Sequence, residues 1–205
     1  MYVPTYFAEE RLPVLHQAMR DVRLPTLVTM GGEGLEASHL PLILAEEEGE
    51  RGTLYGHLAR ANGQWKRVVS QTQALAIFLG PEAYVSPSWY PSKKEHGKAV
   101  PTWNYLTVHA YGRLEFFEDA ERLTWLLSKL TERHEAGRAD PWAMSDAPAD
   151  YLASMLKAIV GFCLPIDRLE GKWKLSQNRT PEDRAGVVKG LETDGETALA
   201  KAVII

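Results

Sequence analysis

One cysteine in 205 residues excludes an intrachain disulfide framework. Cys163 lies in the apolar run 159–166, where a thiol reads as a small buried hydrophobe rather than a nucleophile. The six histidines show no His-x-x-x-His pairing and no cysteine cluster joins them, so no metal site is expected. Gly-x-Gly-x-x-Gly after a strand, a Walker-type phosphate loop and Gly-x-Ser-x-Gly are all missing, which argues against a Rossmann dinucleotide site, a P-loop nucleotidase and a serine hydrolase. The apolar stretches 74–79 and 158–166 are far shorter than the roughly 20 residues a bilayer crossing needs. Met1-Tyr2-Val3-Pro4 opens without a basic region leading into an apolar one, and a cytoplasmic protein without membrane contact is the expectation.

Excess charge of one sign is also lacking. Twenty-three basic side chains against 27 acidic ones leave −4, which disfavours broad nucleic-acid binding while allowing a local basic patch. Hydrophobic residues at 45% and charged ones at 24% are ordinary for a globular chain able to bury a substantial core.

The periodicity runs helix, strands, helices, a late strand, then helices. Leu12, Leu15, Met19 and Val22 recur at helical spacing and predict a helix over 8–22, with Pro13 tolerable only in its first turn. Strands follow at 26–30 and 35–44 around a Gly-rich hairpin, then at 53–59 and 73–79. Residues 102–117 alternate: Leu106, Val108, Ala110, Gly112, Leu114 and Phe116 on one parity, Tyr105, Thr107, His109, Tyr111, Arg113 and Glu115 on the other. That predicts one long antiparallel strand with a dry inner and a polar, aromatic outer face. Helices are expected at 120–135 and 149–159, and a final strand at 161–169 that leads to 172–175. A helix opening at Thr180-Pro181-Glu182-Asp183 and running to about 191, then a last segment at 196–203, complete the pattern. Strands in succession point to an antiparallel barrel, mainly β within the α+β class, with flanking helices and a helical tail. The expected division is a domain over 1–179 and a tail over 180–205.

Four stretches could carry chemistry. The loop 84–105 keeps Trp89, Tyr90 and Trp103 beside Lys93, Lys94, His96 and Lys98; it could hold something flat and anionic, or cap a barrel end with solvated lysines. In the strand 53–59 parity turns Leu54, Gly56 and Leu58 inward and Tyr55 and His57 outward. Arg60, Asn62 and Lys66 then fall at the strand's end, where donors can converge on a phosphate or stand as an exposed turn. Ser38-His39-Leu40-Pro41 interrupts a strand with proline, which implies an edge, a bulge or a backbone facing a ligand. Lys174-Leu175-Ser176-Gln177-Asn178-Arg179 precedes the capped helix and reads as an anion site or as a capping loop only.

Together these stretches resemble the PaiB family of FMN-binding negative transcriptional regulators. The likeness rests on Met1-Tyr2-Val3-Pro4 with Phe7, Ser38–Pro41, 57–66, Gly80-Pro81 with 83–91, 100–105 with Val108-His109, and 174–179. It spans about residues 1–192. One departure is Gly63, where the family often has proline. The resemblance implies an antiparallel split β-barrel like that of pyridoxamine-phosphate oxidases and flavin reductases. It further implies a homodimer holding FMN on the outer barrel face at the subunit interface. The cofactor residues it implies are Ser38, His39, His57, Arg60, Asn62, Lys66, Lys174, Ser176 and Gln177, with Arg60, Asn62, Lys66, Lys174, Ser176 and Gln177 around the phosphate. A flavin-binding transcriptional regulator or sensor is the first functional expectation, a flavin-dependent oxidoreductase the second. Direct DNA contact is weakly supported, because the tail sets Arg184, Lys189 and Lys201 against Glu182, Asp183, Glu192, Asp194 and Glu196.

Overall fold

The computed structural model describes residues 1–69 and 72–203; residues 204 and 205 of the expected tail lie outside them. The elements are β1 (Ala8–Glu9), α1 (Leu12–Asp21), β2 (Thr26–Gly31), β3 (Gly34–His39), β4 (Ile43–Ala45), β5 (Thr53–Ala59), α2 (Gln64–Arg67), β6 (Ala74–Val85), α3 (Ser92–His96), β7 (Thr102–Gly112), β8 (Glu115–Phe117), α4 (Ala120–Glu135), α5 (Ala149–Lys157), β9 (Ile159–Lys174), α6 (Pro181–Thr193) and α7 (Thr197–Ala202). The strands form an antiparallel sheet in the order β3-β2-β6-β7-β9-β5-β4, with β1 and β8 also on β9. This is the mainly-β α+β architecture with flanking helices that the succession of strands implies, and it agrees with the split barrel that the family resemblance implies. The chain divides into two compact units, Met1–Asp21 with Leu79–His109 and Glu170–Ile205, and Val22–Phe78 with Ala110–Leu169. The long strands β6, β7 and β9 contribute to both.

In the second unit, β2 and β3 close as a two-residue hairpin with Gly31 opposite Gly34. The returning strand stops at His39, because Pro41 cannot donate to a ladder. Leu40 and Leu42 are buried instead, and β4 resumes against a different neighbour, β5. β5 alternates as expected: Leu54, Gly56 and Leu58 are buried, while Tyr55 and His57 are half-buried. It pairs along its whole length with the first part of β9, from Thr53–Pro165 to Ala59–Ile159. Helix α4, capped by Asp119 accepting from the Arg122 amide, buries Leu123, Leu126 and Leu130 against Phe117.

The long alternating strand is broken. β7 ends at Gly112, where a Cβ would overlap the carbonyl of Pro165, and β8 resumes after Arg113-Leu114 on β9. Glycine permits that close approach and the chain bends there. The final strand is longer than expected: β9 runs without a break from Ile159 to Lys174.

In the first unit, α1 starts at Leu12 rather than residue 8, with Pro13 in its first turn, and Ala8–Glu9 pairs with β9 at Lys172 and Gly171 instead. Thr180 caps α6 through the Asp183 amide. The helical tail buries Val187, Leu191 and Leu199 with Ala83, Val85, Tyr90 and Leu175. At roughly 1.5–3 kcal/mol per fully buried aliphatic side chain, these helices belong to that unit's core.

Candidate functional site

The sequence-selected residues fall into two groups, one in each unit. The first gathers at the end of β5 and the edge strand β3. Ser38 Oγ donates to Gln64 Oε1 at 2.5 Å and accepts from Asn62 Nδ2 at 3.2 Å. Asn62 Oδ1 in turn accepts from the Gln64 amide at 3.0 Å, and Gln64 Nε2 donates to Thr29 Oγ1 at 2.9 Å. Gln64 is thus the buried hub, and the sequence reading missed it. Only its place inside a polar stretch hinted at a role. His57 is half-buried with an Nδ1 that has no hydrogen-bond partner, and burial holds its pKa below the ordinary value. A buried imidazole nitrogen without a partner is costly and suits a polar ligand atom.

The other members of this group are placed differently. The Arg60 guanidinium is engaged: Nε donates to Lys157 O at 2.7 Å, Nη2 to Ile159 O at 3.1 Å, and Nη1 pairs with Glu118 at 2.5 Å. Lys66 is exposed, with its ammonium 5.1 Å from the centre of the Trp65 ring. His39 is exposed at the end of β3, its Nδ1 2.9 Å from Thr26 Oγ1.

The second group lies where β9 ends. Lys174 Nζ donates to Thr102 Oγ1 at 2.6 Å and to the Trp103 carbonyl. Ser176 is the one described non-glycine residue in the left-handed region, with φ 64°. Such a backbone costs about 1–2 kcal/mol in an L-residue. It is held by Asn104, whose amide atoms lie 3.1 and 3.2 Å from the Ser176 hydroxyl. Asn104 is fully buried on the inward parity of β7, and a polar residue in that row is the signal that could have found it. Gln177 braces the turn rather than facing outward: it donates to Trp173 O at 2.6 Å and accepts from the Leu175 amide at 2.7 Å.

This turn displays Lys174 and Arg179 in a cleft of about 210 Å³, lined also by Phe7, Tyr90, Thr102 and Ser176. The Arg179 guanidinium lies 4.6 Å from the Tyr90 ring centre. Tyr90 is only 2% exposed, and its buried hydroxyl has the Arg179 guanidinium as its polar neighbour. Burial, with Lys172 and Arg179 nearby, pushes the Lys174 ammonium pKa down. Among the described residues no carboxylate neutralises Lys174 or Arg179, so the cleft is locally cationic and suited to an anion.

The aromatic loop resolves into parts. Tyr90 is core, Trp89 packs against α6, and α3 carries Lys93 and Lys94 into solvent. Trp103 remains exposed, edge-on to Tyr84 with ring centres 6.0 Å apart.

The sheet and its flanking helices define a class that comparison with known proteins makes specific. Residues 1–168 match the family described as "Putative FMN-binding domain". The protease synthase and sporulation protein PAI 2 of Bacillus subtilis is 34% identical over 197 residues, covering 95% of this chain and 90% of that protein. The flavocytochrome Anf3 of Azotobacter vinelandii superposes with a TM-score of 0.59 at 15% identity, covering 90% of this chain and 78% of its own. The FAD and heme binding protein of Mycobacterium smegmatis gives 0.57 at 18%, covering 86% and 77%. At such identities these two carry the fold alone. The chain belongs to the FMN-binding family that includes PAI 2, and its cofactor is FMN.

The donor chemistry of each group fits that cofactor: in one, a buried His57 Nδ1 without a partner, and in the other, a cationic cleft for an anionic group. Among the described residues no helix is long and apolar enough to cross a membrane.

Proposed function

We propose that this protein is a flavin-binding regulator or sensor of the PaiB kind, in which FMN occupancy sets the state of the molecule. The observation that carries it is the likeness to PAI 2, a protein named for protease synthesis and sporulation, over nearly the whole of both chains. The candidate FMN contacts are Ser38, His39, His57, Arg60, Asn62 and Lys66 in one unit and, as a separate set, Lys174, Ser176 and Gln177 in the other. Ser38, Asn62 and His57 offer hydroxyl, amide and imidazole contacts, and Lys174 offers charge. Arg60 and Gln177 serve by bracing the backbone that presents their neighbours, as their hydrogen bonds suggest.

The working form is a homodimer. Supporting it, Tyr84 and Trp103 are 47% and 52% exposed and lie edge-on to each other, exposed aromatic surface of a kind that often marks an interaction site. A two-fold dimer would cover it with its own copy. Direct DNA reading draws little support from the tail, whose Asp183 is held by the Ser92 amide and hydroxyl and whose apolar side is buried.

The second reading, a flavin-dependent oxidoreductase, draws on the flavocytochrome of the same fold. FMN-loaded protein with NADH or NADPH and an electron acceptor separates the two. Tight flavin without multiple turnover supports the regulator; sustained turnover overturns it in favour of the enzyme. Protein that neither retains nor quenches FMN sinks both.

A further inference from the structure

The last two turns of α4 and the chain that follows them bound a cleft of about 440 Å³, within the roughly 300–1,000 Å³ of small-molecule pockets. Ser128, Glu132 and Glu135 line it from the helix, and Pro141, Trp142 and Met144 from the returning chain. None of these is a candidate flavin contact. The returning chain is tied to the helix and to itself. The Trp142 amide donates to Glu135 Oε2 at 3.1 Å, Ser128 Oγ donates to Met144 Sδ at 3.3 Å, and the Ala143 amide donates to Asp146 Oδ2 at 2.8 Å. Trp142 is nevertheless 46% exposed, and among the described residues its ring stacks on no other ring and faces no cation.

We propose that this cleft binds an organic primary amine, whose ammonium donates to Glu132 and Glu135 while its apolar body lies against Trp142 and Met144. The inference goes beyond the flavin reading and does not depend on it. Each charged or polarisable group on the wall favours a cation. Glu132 and Glu135, one helical turn apart, bring two carboxylates, and no lysine, arginine or histidine lines the cleft. Their ion-pair partners, Lys129 at 2.9 Å and Arg138 at 3.1 Å, are exposed and stand outside the lining; such surface pairs contribute little and leave the carboxylates able to exchange partners. Arg133, in the last turn, is committed to the carbonyls of Leu42 and Val22 at 2.6 and 3.2 Å. The C-terminal end of the 16-residue α4 adds the negative pole of its dipole, and the face of an indole attracts a cation too. Two acceptors favour a primary over a quaternary ammonium, because only the former has N–H groups to donate. The indole and thioether disfavour a hard metal ion, which takes oxygen ligands throughout.

The test is an NMR titration of the isotope-labelled protein with phenethylamine and hexylamine, and with phenethyl alcohol and hexanol, which keep each body and lose the charge. The indole N–H resonance of Trp142 is assigned by its absence from the Trp142→Phe protein. Both amines are expected to shift that resonance saturably and to bind at least about 10-fold more tightly than their alcohols, the worth of one charge-assisted hydrogen bond. Glu135→Gln keeps an oxygen to accept from the Trp142 amide, and Glu132→Gln alters a side chain that is 62% exposed. Both variants are therefore expected to melt near the parent temperature, to lose the preference for amine over alcohol, and to bind the alcohols as the parent does. Alcohols that bind as tightly as amines overturn the proposal, since the cleft is then merely apolar. So does amine affinity that neither glutamine changes, a response confined to other indoles, or no saturable shift with either amine.

Discussion

The indole of Trp89 lies against Gly190 on α6, occupying the space that any side chain at that position would need. One turn earlier on the helix, a Cβ at Gly186 would overlap the carbonyl of the same tryptophan. Two glycines at helical spacing thus form the seat for a loop residue, and they account for the weak propensity of this helix interior.

Gly190→Ala measures that seat. Alanine gains about 1 kcal/mol of helix propensity over glycine, while forcing a group into a packed site costs typically 1–3 kcal/mol. Overlap with an aromatic ring set between core neighbours makes the second effect the larger. Urea denaturation is expected to show a net loss of stability; a gain would mean that Trp89 moves aside freely.

Arg60→Ala removes donors to the carbonyls of Lys157 and Ile159 at the junction of α5 and β9. The expected loss is about 0.5–1.5 kcal/mol of stability, as for hydrogen bonds whose acceptors water can reach. FMN affinity, compared at a temperature where both proteins are folded, is expected to change little, since the guanidinium is already engaged by Lys157, Ile159 and Glu118. A loss of FMN affinity without a loss of stability would restore Arg60 as the direct phosphate ligand.

His57 and His134 predict a pH dependence of stability. Burial lowers the pKa of both, and at His134 the charges of Arg133 and Arg23 add to it. Between the lowered folded value and the ordinary one near 6.5, the unfolded chain binds more protons than the folded one. The stabilising contribution is therefore complete above the ordinary value and is lost as pH falls through it. Melting temperature should drop between about pH 7.5 and about pH 5.5, around the ordinary histidine pKa. In the His57→Gln variant the drop should be shallower. An identical slope in parent and variant would exclude His57 as a source.

Dimerisation and flavin binding should be linked if the exposed Tyr84 and Trp103 face a second copy. Light scattering across a dilution series is expected to show FMN moving dissociation to lower protein concentration, and Trp103→Ser should weaken both association and FMN retention. A monomer that binds FMN at undiminished affinity would remove the patch from the interface.

The local elements were legible because their periods are local. The alternation in 53–59, the Thr180-Pro181 cap and the leucines of α4 each declare themselves within one segment, and the structure keeps them. Pro41 and Gly112 were visible as interruptions too, but not what they interrupt for: the first lets the chain leave β2 for β5, the second lets the Pro165 carbonyl approach.

Sequence alone determined the mainly-β class, the helical tail and the family, through hydrophobic periodicity and motif order. Tertiary structure decided which polar residues are spoken for. Arg60 and Gln177 looked like free donors because a sequence does not reveal the backbone carbonyls that the fold brings to them. Gln64, Asn104 and Tyr90 gave only faint signs because burial decides their importance, and burial is a property of strands far apart in the chain. The pairing of charges was equally hidden. Lys174 and Arg179 stood out in sequence as an anion-site stretch, but only the fold sets Lys172 beside Lys174 and leaves them, among the described residues, without a paired carboxylate.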